Sequence, residues 1–232
     1  MKNKKAVILL SGGLDSATTL YFAKAQGFKC FCLIFDYGQR HRKEIESAIK
    51  IAKKANCQYQ VLKINLPWKG SALLDKKSQL PITNYQLPIT IPVTYVPARN
   101  IIFLSFALSY AETIKAEAIF IGAHTQDYPG YPDCRDEFYQ AFRKVISLGT
   151  KAGVEHRKIE IKTPLINKTK AQIVKLGEKL AVPFALTWSC YQGSRRPCGR
   201  CQSCYFRQKG FIEAGLKDPL LNNIFGGETS EY

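Results

Sequence analysis

The chain has 232 residues, 46% of them hydrophobic, with 34 Lys and Arg against 18 Asp and Glu and a formal net charge of +16. That length suits one domain, or one domain with a small appendage; no apolar run is long enough to cross a bilayer, and no run of like charge is long enough for a basic tail. Eight cysteines in a chain of this size, with no secretion signal ahead of them, argue against a disulfide scaffold. The excess charge reads as general surface charge; the alternative is an anionic partner such as nucleotide, pyrophosphate or nucleic acid.

In chain order, Met1-Lys2-Asn3-Lys4-Lys5 runs straight into an apolar stretch over 6–10, and Ser11-Gly12-Gly13 stands where a signal peptide would carry a cleavage site. This predicts a first strand in a cytoplasmic protein. Residues 15–26 predict a helix ended by Gly27, 30–35 a strand, 44–55 a helix and 58–64 a third strand. The stretch 66–97 carries Pro67, Pro81, Pro88, Pro92 and Pro97, so much of it is neither interior helix nor central strand, and a lid or insertion is expected. Residues 100–115 predict a helix, 118–121 a short strand leading into Gly122, 168–180 a further helix, and 222–232 a loose polar tail. Alternating strands and helices predict an α/β fold, a parallel sheet covered by helices.

Ser11-Gly12-Gly13-Leu14-Asp15-Ser16 falls between the first strand and the first helix, where open α/β sheets bind ligands. Two glycines let the backbone turn its N–H groups toward an anion, and the helix N-terminus adds donors and the positive end of its dipole. The Ser11 and Ser16 hydroxyls offer further donors; Asp15 reads as a helix cap or as a ligand for Mg²⁺. The string lacks the Gly-Lys-Ser/Thr ending of a Walker A loop and is not Gly-x-Gly-x-x-Gly.

Cys190, Cys198, Cys201 and Cys204 form a C-x7-C-x2-C-x2-C set. Tetrahedral Cys₄ zinc is the natural structural site for this spacing, with an iron–sulfur cluster or inert buried thiols as alternatives. Cys30 and Cys32 alternate on a predicted strand and share one face, Cys57 reads as an ordinary thiol, and Cys134 lies in a polar loop.

The loop string resembles the pyrophosphate loop of the ATP pyrophosphatase (PP-loop) superfamily. Four further strings narrow the match: Asp36-Tyr37-Gly38-Gln39-Arg40-His41, Val96-Pro97-Ala98-Arg99-Asn100, Gly130-Tyr131-Pro132-Asp133-Cys134-Arg135, and Thr187-Trp188-Ser189-Cys190-Tyr191 leading into Pro197-Cys198-Gly199-Arg200-Cys201. In order and spacing they resemble the family of 7-cyano-7-deazaguanine synthases from end to end, with only 66–86 weakly matched. The resemblance implies a doubly wound parallel sheet (adenine nucleotide alpha hydrolase-like) over 1–185, with a Pro-rich insertion near 66–97, and a small zinc-binding region with its tail over 186–232. It implies an ATP-binding set of Leu10, Ser11, Gly12, Gly13, Leu14, Asp15, Ser16, Ala17, Thr18, Thr19 and Leu20. Within it Ser11, Asp15 and Ser16 are catalytic candidates together with Arg99.

The same resemblance implies a carbon–nitrogen ligase of queuosine biosynthesis, which consumes 7-carboxy-7-deazaguanine, ammonium and ATP with Mg²⁺. The carboxylate is adenylated, ammonia displaces AMP to give an amide, and a second adenylation yields the nitrile. Arg99, Tyr131, Asp133 and Arg135 are the substrate candidates; Asp133 would accept from the purine-like N–H edge and Tyr131 would stack. Arg40 and His41 are weaker candidates. A homodimer is implied, with no membrane and no obligatory nucleic acid, and no glutaminase domain is visible. The rival enzyme is a tRNA-modifying PP-loop protein, a thiolase or lysidine-type ligase; the rival from another class is a nucleic-acid module using a zinc knuckle.

Overall fold

The structure is a computed structural model that describes residues 4–40, 42–68, 70–75, 91–124, 130–192 and 196–220. Among these residues five strands, β1 (Lys5–Leu9), β2 (Lys29–Asp36), β3 (Gln58–Lys63), β4 (Ala118–Phe120) and β5 (Glu160–Lys162), pair in parallel in the order β3-β2-β1-β4-β5. Seven helices accompany them: α1 (Leu14–Ala25), α2 (Lys43–Lys54), α3 (Arg99–Ile114), α4 (Asp136–Gly149), the short α5 (Lys151–Val154), α6 (Lys170–Lys179) and α7 (Gln202–Ala214).

The central strand is apolar on both faces, as a covered parallel sheet requires. Ala6, Ile8 and Leu10 enter one core with α1, α2, α6 and α7, including Leu20, Ile51, Ile173 and Phe211. Val7 and Leu9 enter the other with α3 and α4, including Leu104, Tyr139 and Phe142. The sheet is therefore doubly wound, as expected. Its strand order reverses between β1 and β4, where Ala6 pairs with both Cys30 and Ala118. A crevice opens at the carboxyl ends of strands at such a switch point.

The predicted elements up to residue 121 and the helix over 168–180 match the structure within a few residues at their ends. α4, α5, β5 and α7 are additions. The inward residues Tyr139, Phe142 and Ile146 of α4 follow helical spacing, whereas β5 is three residues long and shows no readable alternation. α7 turns Cys204, Arg207 and Gly210 inward beside Phe206 and Phe211, so no apolar stripe marks it. Cys30 and Cys32 share one core, and none of the eight cysteines is in a disulfide. The ends of the Pro-rich segment are folded in: Ala72 N–H donates to Val93 O at 2.9 Å, and Leu66, Thr94 and Val96 are buried. Its middle, 76–90, and the tail at 222–232 lie outside the described residues. No described helix is long and apolar enough to cross a membrane.

Candidate active site

The loop after β1 is shaped by Gly12 and stitched by Ser16. Gly12 has φ +88°, and a Cβ there would lie 2.1 Å from the Glu44 carbonyl oxygen. Only glycine lets the loop sit against the first turn of α2. Ser16 Oγ accepts from Ser11 N–H at 3.2 Å and from Ser11 Oγ at 3.0 Å, and donates to Gly13 O at 3.0 Å. Gly13 is the N-cap of α1, and no side chain caps that helix. Gly13 N–H donates to Ser11 Oγ at 3.3 Å, while the amides of Leu14, Asp15 and Ser16 have no capping side chain, which is the arrangement that receives an anion. Gly122, after β4, approaches so closely that a Cβ would meet the Asp15 backbone at 3.0 Å.

Asp15 is not a cap. Its carboxylate lies inside the first turn of α1 and accepts from Lys170 Nζ at 2.8 and 2.9 Å. His124 Nε2 stands 3.0 Å from Lys170 Nζ and 3.4 Å from Asp15 Oδ2. Burial works against ionisation of Asp15, but Lys170 and then His124 outweigh it and hold the carboxyl well below the usual range. Lys170 opens α6 behind a capping box formed by Thr169 and Gln172. Its stem passes over Gly210 of α7, where a Cβ would meet Lys170 Cγ at 2.3 Å.

Two adjoining cavities of about 280 and 230 Å³ open beside the loop, and Gly13, Asp15, Glu44, Arg99, Tyr131 and Cys134 line both. The strand ends and the start of α3 thus bring the phosphate loop, Arg99 and Tyr131 together. Thr94 shares a 2.5 Å hydrogen bond with Tyr131 Oη, so the Pro-rich segment supplies part of the wall. Burial opposes the charge on Arg99, yet Tyr37, Asp133 and Cys134 beside it raise its pKa further. Burial, then Asp133, pushes the Cys134 thiol up to about 12. Glu44 is pushed up to about 7 by desolvation, with Arg99 acting in the opposite direction.

Asp133 and Arg135 stand elsewhere. Asp133 is 4% exposed; its Oδ2 accepts from Asn100 N–H at 3.2 Å, and its carbonyl accepts from Asn100 Nδ2 and Tyr139 Oη at 3.0 and 3.2 Å. It therefore fixes the start of α3, and with it Arg99. Arg135 is exposed ahead of α4 and does not line the cavities. Arg40 lines the larger cavity and binds Ala72 O at 3.3 Å; His41 lies outside the described residues. Sequence reasoning missed Glu44, Tyr37, Lys170 and His124. Two had a signal: Glu44 opens a predicted helix just after the Asp36–Arg40 string, and Lys170 follows Thr169 at a helix start.

The four C-terminal cysteine sulfurs lie within 4.8 Å of one another, three of them buried. Cys190 Sγ accepts from the Gln192 and Cys198 amides at 3.3 Å, and Cys198 Sγ from the Cys201 amide at 3.3 Å. Tetrahedral bonds of about 2.3 Å to one ion put sulfurs roughly 3.8 Å apart; Cys198 and Cys204 are 4.0 Å apart. A four-iron cluster would spread its thiolates to roughly 6 Å, so the set fits a single metal ion. The segment before it is fixed by a buried ion pair. Arg207 Nε and Nη2 donate to Asp218 at 2.6 and 2.9 Å, and Nη1 and Nη2 donate to Thr187 Oγ1 and Phe184 O at 2.7 and 3.2 Å. Trp188 N–H then donates to Gly12 O at 2.9 Å, which ties the cysteine region to the loop.

Comparison of the sequence with known proteins identifies the family. The sequence profile described as queuosine biosynthesis protein QueC matches residues 5–215. The chain is 54% identical over 221 residues to the 7-cyano-7-deazaguanine synthase of Nostoc punctiforme, covering 94% of this chain and 99% of that one. It is 54% identical over 223 residues to that of Acaryochloris marina, covering 93% and 98%. Among solved structures, a U34-tRNA thiolase, NcsA from Methanococcus maripaludis, is 18% identical, with a TM-score of 0.48 over 97% of this chain and 69% of that one.

Proposed function

The chain belongs to the queuosine biosynthesis protein QueC family and is an enzyme of that route; from that premise we propose that it uses ATP to convert 7-carboxy-7-deazaguanine and ammonium into 7-cyano-7-deazaguanine. The observation that carries this reading is the 11–16 loop at the switch point, opening onto a cavity that also holds Arg99. The carboxylate oxygen attacks the α-phosphate; pyrophosphate departs into the amides of the loop and α1, and the Ser11 and Ser16 hydroxyls turn from each other and from Gly13 O to donate to it. Ammonia displaces AMP to leave the amide, and a second ATP activates the amide oxygen toward the nitrile. Charge develops on phosphate oxygens, so fixed donors and dipoles provide most of the acceleration.

Arg99 offers a planar fork to phosphate or to the substrate carboxylate, Tyr131 offers a ring to the deazaguanine face, and Asp133 acts through α3. Lys170 is the cation next to the phosphate site, and Asp15 is the carboxylate for Mg²⁺ arriving with ATP. The 10–20 stretch is the nucleotide segment. We divide the chain by role, 1–185 for nucleotide and substrate and 186–232 for the metal region. In the latter Zn²⁺, held by Cys190, Cys198, Cys201 and Cys204, is structural and takes no part in the reaction. A cytoplasmic homodimer is carried by the family alone; sedimentation and cell fractionation test it.

Incubation of purified protein with the carboxylate, ATP and ammonium should yield nitrile, AMP and pyrophosphate. Turnover only with glutamine would overturn the ammonium assignment, and turnover only with tRNA would move the protein to the tRNA-modifying group.

A further inference from the structure

The cleft contains two carboxylates in opposite circumstances. Asp15 is ion-paired to Lys170 and flanked by His124. Glu44 lines both cavities from the first turn of α2, and within the described residues its carboxyl has no hydrogen-bond or ion-pair partner; Arg99 acts on it only at longer range. Its place relative to the loop is fixed, because the absent Cβ of Gly12 is what admits the Glu44 carbonyl. The other titrating and charged groups around it are accounted for. Tyr37 and Arg40 follow β2, Arg99 opens α3, and Tyr131, Cys134 and Tyr191 line the same cavity. On its own side Lys43 reaches over the Trp188 ring at 5.9 Å, and Arg42 meets Asp36 at 3.6 Å.

We propose that Glu44 is the catalytic base for the nitrogen chemistry, a role that rests on the adenylation reading above. Ammonium enters as a cation and gives one proton to the Glu44 carboxylate. The freed ammonia lone pair forms the C–N bond while the C–O bond to AMP breaks and its electron pair leaves on phosphate. The amide product's surplus proton goes to solvent, as does the proton on Glu44. After the second adenylation, Glu44 takes one N–H proton as that pair moves into the C≡N bond and the C–O bond to AMP breaks. The remaining surplus nitrogen proton leaves to solvent. A carboxyl titrating near neutrality can accept and release these protons in the working range.

The test is Glu44→Gln, assayed step by step. Carboxylate-dependent ATP–pyrophosphate exchange should stay within about threefold of the unsubstituted enzyme, while amide and nitrile formation from ammonium fall by ~10²-fold or more. Hydroxylamine, already neutral at the assay pH, should restore hydroxamate formation to within about threefold. An unchanged amide rate, or equal loss with hydroxylamine, overturns the proposal. If the unsubstituted enzyme shows no carboxylate-dependent exchange, the adenylation reading falls instead. If the variant does not fold, the unsubstituted enzyme decides. At saturating ammonium its amide step should rise with pH through about 7, while exchange shows no such limb; two parallel profiles overturn the proposal.

Discussion

Two loops meet in the cleft, and they are held in place by different physics. The phosphate loop hangs from β1, whose Ala6, Val7 and Ile8 are fully buried between two helical layers, and it is wedged against α2 by a glycine with no room for a side chain. The cysteine region has little apolar core of its own, with Trp188, Cys190, Cys201 and Cys204 as its buried cluster, and it rests on one buried ion pair and on four thiols placed to ligate a metal ion. Hydrophobic burial is unconditional under ordinary conditions, whereas ligation and ion pairing depend on solution composition. The cleft thus has one permanent wall and one conditional wall, joined by the Trp188–Gly12 hydrogen bond.

Stripping the metal should separate the two walls most clearly. A structural zinc contributes on the order of 10 kcal/mol of apparent binding energy, so a chelator or Cys201→Ser should expose the amides of α7 to hydrogen exchange while those of β1 and β2 stay protected. Next in size, Asp218→Ala leaves the buried Arg207 guanidinium unpaired at a cost of about 3–5 kcal/mol, read as early melting confined to the same region. Gly12→Ala tests the permanent wall. The clash and the positive φ should cost about 2–4 kcal/mol, and AMP release should be lost even where the protein remains folded. The smallest effect concerns Glu160 on the edge strand β5. Lys158 and Lys162 hold the Glu160 carboxyl down at about 2. A depressed carboxyl contributes stability above its ordinary value and loses it as pH falls from about 4.5 toward 2. Because the pair is part-exposed, Glu160→Gln should remove no more than about 0.5 kcal/mol at neutral pH, and an acid melt of the two proteins should converge at low pH.

The permanent wall was the more legible of the two. Apolar runs bounded by glycine announce β1, β2 and the phosphate loop because a buried parallel strand has to be apolar on both faces. The cysteine spacing announces ligation, since four thiols so placed are rarely incidental. Asp15 was half legible: its residue type suits a cap, but its partner Lys170 is 155 positions away, and no local pattern contains that pairing. Asp133 is likewise held from another part of the chain, its carboxyl accepting from the Asn100 amide, and no local pattern contains that contact. Glu44 shows the limit most plainly. Any glutamate near a helix start looks like an ordinary favourable charge, and only the fold sets this one, half-buried, on the wall of both cavities.

The contact between Gly12 and the carbonyl of Glu44 has a consequence for engineering. The six-residue loop is not a portable cassette, because its curvature is moulded on the opening turn of α2. A graft into another α/β scaffold has to carry residues 11–16 and that turn as one discontinuous module, and a library that varies one half has to vary the other in step.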